Sequence, residues 1–278
     1  MRAAEAAGGL RRARLRAGVA GAYLLGVLGA AVAQPPTESQ RILECVVDNL
    51  PDAARLESVS VSTAALGDAE GTAREIELDI AVRSHEGNLQ ARALVRAPED
   101  LRGTAYLYRA RRDGGADIYH HAPDLGRTRR IAGADSAGTV FDTAVTFSDL
   151  TEGMRTLRSS SVSLRPQRAG DPENVREFVV LPPPGTDLQL SRIELRVRTD
   201  ACAVVGARVY GAGRELLREA TVPPDALRRD ADGHWYPARV RVANPEIELV
   251  SEITVGRFAV DTGLSGRWFD PESFHHME

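Results

Sequence analysis

The chain has 278 residues with 35 basic side chains, all arginine, against 39 acidic ones, a net charge of −4. A balance this close to neutral excludes the surface-wide positive field that a general nucleic-acid or membrane-surface binder requires. The complete absence of lysine is explained by genomic base composition without any functional demand for guanidinium groups.

The first residues read as a targeting segment. Arg11, Arg12, Arg14 and Arg16 precede an apolar run from Gly18 to Ala30. Ala31-Val32-Ala33 then supplies small residues at the positions a signal peptidase reads. The run is short for a membrane span, which needs about 20 residues. We expect a signal peptide over 1–33, cleaved after Ala33, with an uncleaved anchor as the alternative. Gln34, not Cys, follows the cut, so no lipid anchor is expected on the mature chain. Five Arg and one Glu leave with the leader, and residues 34–278 carry 30 basic and 38 acidic side chains, a net of −8. That length suits a single domain in an exported protein. Two cysteines remain, Cys45 and Cys202. An even pair in an exported chain reads as a disulfide, two buried thiols being the alternative.

Thr37 followed three residues later by Gln40 fits a capping box. Ile42, Leu43, Val46, Val47 and Leu50 recur at helical spacing, which predicts an amphipathic helix from Thr37 to about Asn49, stopped by Pro51. From Leu56 the period changes to two. In Arg74–Arg83, Ile76, Leu78, Ile80 and Val82 share one face, while Glu75, Glu77 and Asp79 share the other. Turns at 85–88 and 98–103 separate this run from strands at 89–95 and 104–109, so consecutive antiparallel pairing follows. One apolar and one charged face suggest a sheet covered on one side.

The stretch 117–150 is the most distinctive. A strand, Asp117 to His121, breaks at Pro123, turns through Leu125-Gly126 and resumes with Arg127, Arg129, Arg130 and Ile131. A small-residue loop follows, then Phe141 and Phe147 with Val140, Val145 and Leu150. This predicts a hairpin feeding an apolar flap. A helical turn or two is expected over 151–157, capped by Ser148 or Asp149. Alternation returns at 176–180, 192–198, 203–210, 216–222, 235–242 and 247–255, with Ile193, Leu195 and Val197 sharing a face. The expectation is a mainly β chain with about ten or eleven strands in one strongly curved antiparallel sheet.

No catalytic constellation is legible. There is no GxSxG and no HExxH, and Gly211 and Gly213 lack the third glycine of a nucleotide loop. His120 and His121 are adjacent in a strand and therefore face opposite ways, so they cannot share a metal. No catalytic residue, cofactor or metal is expected. Arg109, Arg111 and Arg112 with Arg127, Arg129 and Arg130 could gather on neighbouring strands to meet an anionic headgroup. A solvated face balanced by nearby acids is the plainer alternative.

The run Ala97-Pro98-Glu99-Asp100-Leu101-Arg102-Gly103-Thr104, then Tyr119, Pro123, Leu125-Gly126-Arg127, Arg129-Arg130-Ile131 and Phe141 to Leu150, resembles the LolA/LolB-like outer-membrane lipoprotein-sorting family. The resemblance is specific over 97–150 and looser elsewhere, taking in His234-Trp235-Tyr236-Pro237 and Phe269 to Phe274. It departs at Ala144, where the pattern carries an acid. It implies an incomplete antiparallel β-barrel with a helical lid over an apolar cavity for acyl chains. Ile76, Leu78, Ile80, Leu107, Ile193, Leu195 and Val197 are the cavity candidates, with Phe141, Phe147 and Leu150 as the lid. Arg127, Arg129 and Arg130 would meet the headgroup. The implied function is a periplasmic carrier of an acylated lipoprotein or lipid, with transient membrane contact and an inner-membrane exporter as a further partner. A lipid sensor of the same fold is the alternative, and a secreted hydrolase a more distant one.

Overall fold

Helix α1 (Glu38–Asp48) starts where the sequence places it. Thr37 accepts from the Gln40 N–H while the Gln40 side chain accepts from the Thr37 N–H, so two otherwise orphaned donors are satisfied. The computed structural model describes residues 36–49, 54–68, 72–113, 115–132, 138–153, 156, 161–182, 190–260 and 263–276. The leader, its cleavage site, Leu50 and Pro51 lie outside the described residues.

The strands are β1 (Arg55–Ala65), β2 (Arg74–His85), β3 (Asn88–Ala97), β4 (Ala105–Ala110), β5 (Ala116–Ala122), β6 (Arg127–Ile131), β7 (Ser161–Leu164) and β8 (Val175–Leu181). Then come β9 (Leu190–Arg198), β10 (Ala203–Gly211), β11 (Leu216–Thr221), β12 (Leu227–Arg229), β13 (Trp235–Pro237), β14 (Arg239–Asn244) and β15 (Leu249–Val260). Thirteen of them form one antiparallel sheet in the order β6-β5-β4-β3-β2-β1-β15-β14-β11-β10-β9-β8-β7, while β12 and β13 pair separately. It is one large curved sheet, not closed into a barrel, as expected.

The strand count exceeds the expected ten or eleven. Ser161–Leu164 and Leu227–Arg229 are too short to show a period. The run 235–242 is also broken at Ala238. There the chain changes partners: the Ala238 N–H donates to the Ala226 carbonyl (2.7 Å), and its own carbonyl accepts from Val255 (2.8 Å). β13 thus stays with the small hairpin and β14 joins the large sheet.

The topology is two meanders joined at one seam. β1 to β6 run outward from the seam in chain order, and β14, β11, β10, β9, β8 and β7 run outward on the other side. The chain therefore passes from the edge strand β6 to the opposite edge strand β7 through residues 132–160. Part of that passage, 138–153, lies against one face of the sheet, here called the inner face.

The expectation that only one face is covered fails in the first meander. Ala81, Leu94, Ala105 and Leu107 on the outer face are buried beneath Leu264, Trp268, Phe269 and Phe274 of the C-terminal segment. Strands apolar on both faces read as continuous runs, so alternation cannot rank the two faces. In the second meander α1 lies beside β8, where Glu38 pairs with Arg176 (3.0 Å). None of its residues is fully buried, and Val47 is 64% exposed. The helix is therefore held by discrete links instead of by its apolar stripe. Cys45 and Cys202 form the expected disulfide, with Cα atoms 5.3 Å apart. The Asn49 amide also pairs with both backbone groups of Trp235 (2.7 and 2.8 Å).

The disulfide spans a sequence separation of 157 residues. Cross-linking so long a loop stabilises by about 5 kcal/mol in the chain-entropy model. The Cys45→Ser/Cys202→Ser variant is expected to lose up to that amount in urea unfolding. Amide exchange should rise first in α1, none of whose residues is buried.

Candidate functional site

Side chains at i and i+2 of a strand share a face. The registers align Tyr106 with Ala93 and Ala93 with Ile80, and align Tyr108 with Ala91. They also align Leu78 with Val59, and Val61 with Ile253. These residues face inward and, with Ile118, form the floor of an apolar cavity of about 230 Å³. Its roof is the flap, through Val140, Phe141, Thr143, Val145, Phe147 and Leu150.

The flap is a small hairpin closed by a Thr139–Thr146 bridge. The Thr143 N–H donates to the Val140 carbonyl (3.1 Å), and the two central residues, Phe141 and Asp142, have φ of 54° and 55°. Two consecutive positive φ values identify a type I′ turn, which normally takes Asn-Gly. Holding L residues there costs roughly 1–2 kcal/mol each. Burial offsets this: Phe141 packs among Val59, Val61, Ile76, Leu78 and Val95, and burying a Phe contributes about 1.5–3 kcal/mol. Phe147 packs against Ile118 and Ile131. Tyr106 touches both, edge-on to Phe141 (4.6 Å between centroids) and tilted to Phe147 (5.2 Å).

A buried polar cluster docks the flap from the second meander. The Ala144 N–H donates to Ser251 Oγ (2.9 Å), and the Ala144 carbonyl accepts from Asn244 Nδ2 (3.2 Å). Ser251 also bonds Thr63 Oγ1 (2.8 Å). Ala144, Ser251 and Asn244 are fully buried. Ala144, the departure from the family pattern, is thus fixed through its main chain in a space where an acid would be buried. The following turn is capped earlier than expected. Thr146 N–H donates to Asp149 Oδ2 (2.8 Å) and Asp149 N–H to Thr146 Oγ1 (3.2 Å), a reciprocal cap that replaces the predicted Ser148 or Asp149. The helical turn it opens runs Asp149–Gly153. Arg218, buried on β11, joins the parts by donating to Asp149 Oδ2 (3.0 Å), Asn244 Oδ1 (2.8 Å) and Thr146 Oγ1 (3.4 Å).

The predicted site residues divide clearly. Leu78, Ile80, Phe141, Phe147 and Leu150 line the cavity. Ile76 is buried in the cluster beside it. Leu107 points to the outer face, under Phe269 and Phe274, because Tyr106 and Tyr108 take the inward positions of β4. Ile193 and Leu195 share the inner face by register but belong to a second cluster with Val180 and Leu190. Val197, buried on β9, is also outside the cavity lining. Alternation assigns a face and not a position along the curved sheet, which accounts for these misplacements. Val59, Val61, Ala91, Ala93, Tyr106, Tyr108, Ile118 and Ile253 complete the floor. The first two lay in an alternating run, and the tyrosines carried the hint of a two-sided strand.

The arginines do not act as one group. Arg130 pairs with Asp117, which also binds Arg111, and Arg112 pairs with Glu86. Arg127 and Arg129 align on the inner face of the edge strand, Arg129 opposite His120. His120 stacks on Tyr106 (4.6 Å). Burial, then the Arg129 and His121 charges, lowers the His120 pKa from the ordinary imidazole value. Burial and the Asp142 charge push the Tyr106 hydroxyl up to about 12, against the opposing charge of Arg129. Both groups are uncharged at neutral pH, so the cavity wall presents no ionised side chain from this pair.

A family model described only as an uncharacterized protein matches residues 87–276. The chain belongs to that family. No curated protein matches it. Among solved structures, a DUF1329 family protein from Desulfovibrio piger superposes with a TM-score of 0.72 at 18% identity, covering 83% of this chain and 95% of that one. A domain described as an outer-membrane lipoprotein-sorting protein, from Vibrio parahaemolyticus, gives 0.71 at 15% identity over 84% and 98%. A LolA superfamily protein from Nitrosomonas europaea gives 0.64 at 16% identity, also over 84% and 98%. The fold is LolA-like. At these identities the likeness speaks to the fold, and it agrees with the family read from residues 97–150.

Arg218 is 10% exposed and Asp149 27%. Removing one partner of such a pair leaves the other short of its charge partner. The Arg218→Met variant is expected to be about 2–4 kcal/mol less stable, measured as a shift in urea unfolding. The conservative Leu78→Met should cost under about 1.5 kcal/mol.

Proposed function

We propose that this chain is an exported carrier that holds the acyl chain of a lipoprotein or lipid in the cavity beneath the 138–150 flap. One observation carries the reading: on a LolA-like sheet, the inner face presents an almost wholly apolar floor under an aromatic roof. Acyl chains do not cross water unescorted, since each buried CH₂ contributes about 0.8 kcal/mol. A carrier needs that apolar surface, a cover that can be displaced, and no chemical step. The Tyr106 hydroxyl, held protonated, offers a neutral hydrogen-bond donor and not a nucleophile. Residues 34–278 would form one lipid-binding domain.

Export to the periplasm is supported by the Arg-led leader with its small residues at 31–33 and by the Cys45–Cys202 disulfide, which suits an oxidising compartment. Delivery to an outer membrane, with an acylated lipoprotein as cargo and an inner-membrane exporter as donor, is the role this reading assigns. In this reading Arg127 and Arg129, on the inner face of the edge strand, and Arg130, paired with Asp117, would meet a headgroup.

The test is direct. Protein purified from a bacterial host is expected to release phospholipid or acylated peptide on solvent extraction, identified by mass spectrometry, and to bind a fluorescent fatty acid in solution. Ala93 lies on the cavity floor between Tyr106 and Ile80. Ala93→Trp should fill the cavity and weaken fatty-acid binding at least tenfold, with the far-UV spectrum unchanged. Equal binding by the two proteins would refute the assignment of this cavity.

A further inference from the structure

The outer face carries a second arrangement that the cavity does not use. His121 on β5 and His275 in the C-terminal segment stack face to face, with centroids 3.7 Å apart and planes 7° from parallel. His276 lies 4.4 Å from His275. Beside them Arg92, buried on β3, donates to the carbonyls of Phe274 and His276, and its guanidinium lies 4.8 Å over the Trp268 ring. The His275 Nδ1 is buried without a hydrogen-bond partner, and His121 Nδ1 meets Thr128 Oγ1 at 3.1 Å. Three imidazoles and one permanent cation therefore share a contact that fastens the end of the chain to the sheet.

We propose that His121, His275 and His276 form an acid-sensitive clasp that releases residues 264–276 from the outer face and uncovers the apolar patch of Leu94, Ala105 and Leu107. Stacked neutral imidazoles attract through their ring faces, but two imidazolium ions at 3.7 Å repel, and Arg92 adds a third positive charge that cannot be removed. Of the other charged groups on the sheet here, Arg96 on β3 is paired with Asp79 on β2, and Arg130 on β6 with Asp117. None of these carboxylates is bonded to the clasp.

Burial lowers the pKa of His121 and of His275 from the usual value. His276 adds to this for His121, and His121, His276 and Arg92 add for His275. The sign follows. Once the segment is released, the His121 and His275 imidazoles return to about 6.5. Above that value both are neutral and the segment stays docked. As the pH falls below it, the released state takes up protons first. The docking equilibrium then drops by up to tenfold per pH unit for each of His121 and His275, until the docked pKa is reached.

The chain has two tryptophans, so Trp235→Phe leaves Trp268 as sole reporter. Between pH 7.5 and 5 its emission should shift to the red. Hydrogen-exchange protection over 264–276 in the unmutated protein should fall at least tenfold, while β3 amides keep theirs. The His121→Gln/His275→Gln variant should lose most of this pH dependence, with His120 on the inner face left intact. Three results would each overturn the proposal: constant protection across this range, equal loss in β3, or an unchanged pH response in the double variant.

Discussion

Everything described depends on the antiparallel register between β1 and β15, which aligns Arg55 with Val260 at one end and Ala65 with Leu249 at the other. This seam joins the first strand of the described residues to the last and turns two meanders into one sheet. The cavity straddles it, with Val59 and Val61 on one strand and Ile253 on the other. A one-residue slip would invert every side chain of one meander relative to the other. It would also separate Thr63 from Ser251, the hydroxyl pair at the root of the flap. The bulge between Ser58 and Val59 breaks the register once without displacing that pair.

The flap depends on the seam for its two kinds of support. Its aromatic side chains sink into the first meander, whereas Ser251 and Asn244 from the second bind its main chain and Arg218 binds its Asp149 carboxylate. Apolar burial supplies most of the free energy and tolerates sliding. The hydrogen bonds to buried polar atoms fix where the flap sits, because leaving one unmet costs about 1–3 kcal/mol. A strained turn at Phe141-Asp142 is maintained between them, in keeping with strain being stored where the surroundings over-determine the backbone. In the carrier proposed above, such a cover, held partly by strain and by a localised polar cluster, is one that an acyl chain would displace on entering.

The two faces of the sheet are closed by different means. On the inner face a crossing segment roofs a cavity. On the outer face the C-terminal segment lies directly on the strands, with Phe269 and Phe274 almost wholly buried. Arg83 and Arg92 add cation–π contacts to Phe269 and Trp268. Desolvation is the largest influence lowering the pKa of both arginines. The helix α1, by contrast, gains little from burial and relies on a covalent link. One sheet thus carries a roof, a strap and a tethered helix, each with its own sensitivity to ligand, acid or reductant.

Much of this was legible in the chain itself. Periodicity and turn residues determined the strand runs, the capping box of α1, and the antiparallel order of the first meander, because those depend on neighbours in sequence. Residues 97–150 also carried enough local pattern to identify the LolA-like fold. Cysteine parity in an Arg-led chain pointed to the disulfide. The tertiary structure alone decided which face of β4 looks inward, since Tyr106–Tyr108 and Ala105–Leu107 are both apolar sets. It decided that Ile193 and Leu195 sit in a separate cluster along the curve of the sheet, and that Val197 lies outside the cavity lining. It also brought Asn244 and Ser251 to Ala144, and Arg218 to Asp149, across sequence gaps that no local period spans. Alternation sets only direction relative to a strand; position on a curved, seamed sheet is set by long-range registers, which arise only when the two ends of the chain pair.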